Sequence, residues 1–171
     1  AFLEALTARL AASPYRDALQ SIVLANEPAY GQCQLDREFS RNEFRKALKQ
    51  RHGSIRKFNR VAGTSFQSFD QLLAAGEKNP AVKYEYNMFK WQAFADWHRF
   101  MAQIVRKNLP EVPLHTKLMI YLTLAERELG WSAYEPGMLA EFFDVNGNDN
   151  GNDIWLDPAV GTELQYSLKP V

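Results

Sequence analysis

The chain has 171 residues, of which 46% are hydrophobic and 23% charged, and its formal net charge is zero. That length and balance fit one ordered domain with a sizeable core; they exclude a disordered chain and give none of the basic footprint of a dedicated nucleic-acid binder. Cys33 is the sole cysteine, which rules out an intrachain disulfide. No apolar run approaches the ~20 residues that span a bilayer. Ala1-Phe2-Leu3-Glu4 opens the chain without a basic n-region, so no signal peptide is expected. A start without Met reads as a processed chain or a piece of a longer one, and a cytoplasmic or an exported location fits equally.

Phe2, Leu3, Leu6 and Leu10 recur at helical spacing, which predicts a helix over 2–12, ended by Ser13-Pro14. The short apolar run Ile22-Val23-Leu24-Ala25 predicts a buried strand over 20–26 that delivers Asn26-Glu27-Pro28 at its C-terminal end. Residues 29–39 read as a loop. Ser40 with Glu43 forms a capping box for a helix that runs to a Gly53 stop, and Ser54 caps a second helix ended by Gly63. An irregular excursion over 64–76 holds a turn of helix near Phe69. Asn79-Pro80 opens the longest helix, whose core-facing stripe is expected to be Phe89, Ala93, Trp97, Phe100 and Ile104, widened by Met101 and Val105. After a break over 108–113, residues 114–121 predict a second strand. Residues 128–136 read as a loop, 136–141 as a short helix, and Phe142, Phe143 and Val145 as a third strand. The polar tract 146–153 and a last helix over 158–167 follow. This alternation predicts an α/β fold with parallel strands and right-handed crossovers.

Three strand ends carry polar groups: Asn26 and Glu27 on the first, His115 and Lys117 on the second, and Asp144, Asn146 and Asp149 on the third. A parallel barrel gathers such ends at one rim, where its active site lies. A carboxyl group held there beside an amide suits a general acid/base. Each residue also has a plainer reading: Glu27 as a surface carboxylate beside Pro28, His115 as a satisfied strand histidine, Lys117 as a solvated lysine, Asp149 as an Asx turn. Asp149-x-Asn-x-Asp153 has the spacing of a calcium loop, but Val160 stands where that loop needs its bidentate acid. One cysteine and the scattered His52, His98 and His115 make no zinc set. The high aromatic share suits stacking on sugars, although rings at helical spacing mostly serve the core.

Four stretches, in order along 22–150, resemble the retaining glycoside hydrolases built on TIM barrels, most closely family 42 β-galactosidases. They are Ile22 through Asn26-Glu27-Pro28; the stretch from Phe44-Arg45-Lys46 through His52-Gly53-Ser54, Leu48 and Asn59 to Gly63-Thr64-Ser65-Phe66; Trp97-His98-Arg99-Phe100; and Phe143-Asp144-Val145-Asn146-Gly147-Asn148-Asp149-Asn150. The resemblance implies a partial (β/α)8 TIM barrel made of central strands and a long helix, with residues 1–171 as a single-domain piece of the catalytic barrel. It implies Glu27 as the acid/base, Asn26 as a partner of the sugar 2-hydroxyl, and Lys117 and Asp149 as substrate-binding residues. It implies a carbohydrate substrate and no cofactor, and no metal, because Cys33 stands alone where several members carry a cysteine cluster. Gly151 follows Asn150 where the family has Tyr. The attacking carboxylate of the family follows the seventh strand; Leu164 through Lys169-Pro170-Val171 resembles the approach to it, so the nucleophile is expected beyond Val171 and the isolated chain is expected to be inactive. Glu163 belongs to the preceding helix. Exposed sheet edges of an incomplete barrel predict a homo-oligomer. The alternatives are a non-catalytic carbohydrate-binding or scaffolding relative of the same barrel, and an independent small α/β domain.

Overall fold

The structure, a computed structural model, describes residues 1–28, 35–119, 134–147 and 156–169. In chain order the described elements are α1 (Phe2–Ala11), a 3-10 turn (Arg16–Ala18), β1 (Ile22–Asn26), α2 (Glu38–His52), α3 (Ile55–Ala62), α4 (Phe69–Ala75), a second 3-10 turn (Gly76–Lys78), α5 (Pro80–Asn108), β2 (Leu114–Lys117), α6 (Pro136–Ala140) and α7 (Leu156–Leu168). β1 and β2 are parallel neighbours. The 29-residue α5 is the beam that joins the two halves of the molecule.

Local signals start and stop the helices. The Ser54 side chain accepts from the Lys57 N–H, and Asn79 accepts from both Ala81 and Val82, so orphan donors of α3 and α5 are satisfied. Pro80 sits at the first position of α5, where its missing N–H costs nothing. Gly53 and Gly63, at φ 72° and 65°, turn the chain out of α2 and α3. The Asn59 side chain then clamps the turn after α3: its Oδ1 accepts from Thr64 Oγ1 and the Phe66 N–H, and its Nδ2 donates to the Phe66 carbonyl.

Two apolar clusters flank α5. One joins α2, α3, α4 and the start of α5 through Phe44, Leu48, Phe58, Leu72, Val82 and Tyr86. The other seats the strands on the rest of α5, through Phe94, Ala102, Val105, Leu109, Leu114 and Leu118, with Ile22 and Leu24 of β1 packed against them. α1 docks on α5 with Leu3 and Leu10, and its buried Thr7 hydroxyl accepts from Asn108 Nδ2 while donating to the Leu3 carbonyl.

Three expectations need correction. The Ser40–Glu43 capping box does not form, because α2 begins at Glu38 and Ser40 is a buried interior residue. The stripe assigned to the core of α5 is misplaced: Trp97 and Phe100 are 51% and 60% exposed, whereas Phe94, His98 and Ala102 are inside. α5 is apolar around much of its girth, and it buries one face on α2 and α4 and another on the strands, so a single stripe cannot describe it. The third strand over 142–145 is absent as a strand; Phe142 and Phe143 complete a turn after α6. Residues 144–147 do run beside β2, linked to it by Asp144 N–H to the Leu114 carbonyl and Leu118 N–H to the Gly147 carbonyl.

Candidate active site

The β1–β2 pairing is irregular at the place that matters. Ile22 pairs with Leu114 and Val23 with His115, but the next pair is Asn26 with Lys117. Leu24 and Ala25 thus oppose the single residue Thr116, which is a bulge in β1. Side chains alternate faces along a strand, and an extra residue reverses the face of everything after it. Ile22 and Leu24 face α5; a regular strand would send Asn26 the same way. The bulge instead carries Asn26 onto the opposite face, with His115 and Lys117.

Glu27 follows at φ 46°, a left-handed conformation rare for a residue with a side chain. Its N–H donates to the Lys117 carbonyl at 2.9 Å, and Lys117 Nζ donates to its Oε1 at 3.2 Å. Both side chains are about one-third exposed, so the carboxylate is fixed against β2 yet open to solvent. Asn26 is exposed beside it. The amide, the carboxylate and the ammonium therefore share the C-terminal edge of the two strands. Such a set of side chains can hydrogen-bond a polar ligand, and a carboxyl group so placed can exchange a proton with one.

The other sequence candidates lie elsewhere. His115 is one step down the strand, where its Nε2 is 3.2 Å from Ser21 Oγ. Asp144 is at the far, N-terminal end of β2: its Oδ2 accepts from the Leu114 N–H at 2.7 Å and from Arg106 at 2.5 Å. Burial pushes the Asp144 carboxyl up, but the Leu114 N–H, Arg106 and the nearby Lys169 outweigh it and hold the group below its usual range. Asp144 is thus an anchor of β2 on α5, not a rim residue. Asn146 is structural too: its Nδ2 donates to the Gln165 and Lys169 carbonyls at the end of α7. Asp149, Cys33 and the calcium-like tract after Asn148 lie outside the described residues, as do Pro170 and Val171. Among the described residues no group of three or more His, Cys, Asp or Glu is placed to hold a metal, and no helix is long and apolar enough to cross a membrane.

Sequence reasoning missed two participants. Thr116, 1% exposed, donates from Oγ1 to the Ala25 carbonyl at 2.9 Å, inside the bulge. Gly147 presses on the other edge of β2, so closely that a β-carbon there would lie 2.3 Å from the Thr116 carbonyl oxygen. Neither a threonine in a strand nor a glycine in a polar tract stands out by itself.

Parallel strands backed by a long helix, with polar groups at their C-terminal edge, make part of a (β/α)8 barrel. The fold is similar to that of β-galactosidase from Bacillus circulans sp. alkalophilus, with a TM-score of 0.69 at 20% identity, over 97% of this chain and 26% of that one. It is also similar to the apo exo-carrageenase GH42 from Bacteroides ovatus, with a TM-score of 0.51 at 25% identity, over 66% of this chain and 16% of that one. A curated β-galactosidase from Arthrobacter sp is 29% identical over 133 residues, which are 72% of this chain and 18% of that protein. The family model described as Beta-galactosidase, glycoside hydrolase family 42, matches residues 2–143. The chain belongs to this family of glycoside hydrolases, and it spans less than a fifth of the length of the curated relative.

Proposed function

We propose that residues 1–171 act as one domain within a retaining, β-galactosidase-like catalytic barrel, and that Glu27 is its general acid/base. The observation that carries this reading is the placement of Asn26 and Glu27 at the C-terminal edge of β1, on the face shared with Lys117. In the first step the Glu27 carboxyl gives its proton to the glycosidic oxygen. The bond from that oxygen to the anomeric carbon breaks as a second carboxylate bonds to the carbon. In the second step Glu27 takes a proton from water, the water oxygen bonds to the anomeric carbon, and the second carboxylate leaves.

In such a pair the two carboxyl groups stand about 5–5.5 Å apart. The chain covers 26% of the solved β-galactosidase, and we assign the second carboxylate to the remainder of the barrel. Asn26 would donate to the sugar 2-hydroxyl, a bond that strengthens as positive charge develops on the ring. Lys117 would bind a neighbouring hydroxyl and keep the Glu27 carboxylate oriented between turnovers. Asp149 is proposed as a further sugar contact.

The test is Glu27→Gln in the full-length protein, assayed on an unactivated β-galactoside. A fall in kcat/KM of about 10²–10⁴-fold is expected. Undiminished hydrolysis would sink the assignment.

A further inference from the structure

We infer that Thr116 is a positioning residue for the acid/base, acting through the bulge in β1. The inference rests on Glu27 being that acid/base. Thr116 is the single β2 residue opposite Leu24 and Ala25, and the ladder between the Val23–His115 and Asn26–Lys117 pairs is interrupted there. The Thr116 hydroxyl donates to the Ala25 carbonyl oxygen at 2.9 Å, a side-chain bond added to the backbone pairing at the point where the register changes. Ala25 immediately precedes Asn26 and Glu27, so this bond fixes the last peptide before the site.

Two further contacts make the position sensitive. Thr116 is buried, and Gly147 packs against its carbonyl, so the strand has no room to shift toward that side. On the near side, the Glu27 N–H is tied to the Lys117 carbonyl, one residue beyond Thr116. The hydroxyl and this amide together hold β1 one residue out of simple register. Without the hydroxyl, the pairing at this point loses one of the bonds that hold it, and a slip of one residue would return Asn26 to the α5 face. The side chain acts on the chemistry only through where it puts Asn26 and Glu27.

The experiment uses the full-length protein and compares Thr116→Val, which keeps the shape and removes the hydroxyl, with Thr116→Ser, which keeps the hydroxyl. kcat/KM is measured for a dinitrophenyl glycoside, whose leaving group needs no proton, and for an unactivated glycoside, whose leaving group does. Glu27→Ala runs alongside. Thr116→Val should lose about 10–100-fold on the unactivated substrate, the scale of a small misplacement of a catalytic group, and little on the dinitrophenyl one. Thr116→Ser should restore most of the difference. If Glu27→Ala is selectively impaired while Thr116→Val matches wild type, the positioning role is overturned and the acid/base reading stands. If Thr116→Val loses equally on both substrates, the residue is merely structural and the inference fails. If Glu27→Ala shows no dependence on the leaving group, the acid/base reading itself fails and takes this role with it. Should Thr116→Val not fold, Thr116→Ala is judged by the same ratio of the two substrates.

Discussion

In the lobe of α2, α3, α4 and the start of α5, the groups that shape the backbone are close along the chain. Ser54 caps α3 three residues ahead of its partner, Asn79 caps α5 two and three residues ahead, and Asn59 clamps a turn five to seven residues on. At the β1–β2 edge the shaping groups come from far away. Thr116 is 91 residues from Ala25, and Lys117 is 90 from Glu27. The lobe is regular and packed on large rings; the edge is short, irregular and held by a few polar bonds. Damage in the lobe should therefore show as lost stability, whereas small changes at the edge should show as altered chemistry.

The largest expected effect on stability probes the lobe. Phe58 is fully buried, with His52 edge-on at 5.1 Å and Phe66 at 6.3 Å. Phe58→Ala should cost about 3–5 kcal/mol, the usual loss for an aromatic ring removed from a core. Denaturant unfolding of the full-length protein measures it. The ratio of kcat/KM on unactivated and activated substrates should stay at the wild-type value while the protein is folded. A changed ratio would show that the two regions are not separable.

Gly147→Ala probes the edge and should be smaller in stability. A β-carbon there would meet the Thr116 carbonyl oxygen at 2.3 Å and His115 Nδ1 at 2.4 Å, both parts of β2. Residues 144–147 must retreat or β2 must move, at about 1–3 kcal/mol, the range for overpacking. Unlike the lobe variant, it should lower activity on the unactivated substrate more than on the activated one, because Thr116 moves with the strand. Equal losses on both substrates would erase the contrast between the regions.

The same contrast explains what was legible in the sequence. The caps at Ser54 and Asn79 and the stops at Gly53 and Gly63 were readable because each is a local pattern with a local partner. The place of Glu27 just past a strand was readable, since the apolar run Ile22–Ala25 and the turn signal at Pro28 are both local. The bulge was not, because nothing within Ile22–Asn26 requires it; it is defined by the pairing with β2, which lies far along the chain. Asp144 was misread for a related reason. Its partners, Arg106 and the Leu114 N–H, are 38 and 30 residues away, and they draw it to the end of β2 opposite Glu27. The core face of α5 failed because a helix packed on two sides has no single hydrophobic direction.

The smallest effect at neutral pH belongs to His98, and it appears only on acidification. The ring is buried against Phe94, Trp97 and Phe143, and its Nδ1 lies 3.0 Å from the Phe94 carbonyl oxygen. Burial lowers its pKa below the ordinary 6.5, and the Phe94 contact offsets only part of this. Between the folded and unfolded values the unfolded chain binds the extra proton, so folding stability is complete above 6.5 and falls as the pH drops through that value toward the folded one. Asp144, whose carboxyl is held below its ordinary 3.8, adds a second loss that begins only when the pH falls below that value. Both groups belong to the strand side, which makes that side the acid-sensitive one. Unfolding curves taken from pH 7 down to 5 should therefore weaken for the wild type and stay flat for His98→Phe, which keeps a buried ring and removes the titration. An unchanged slope in His98→Phe would place the first acid-sensitive group elsewhere.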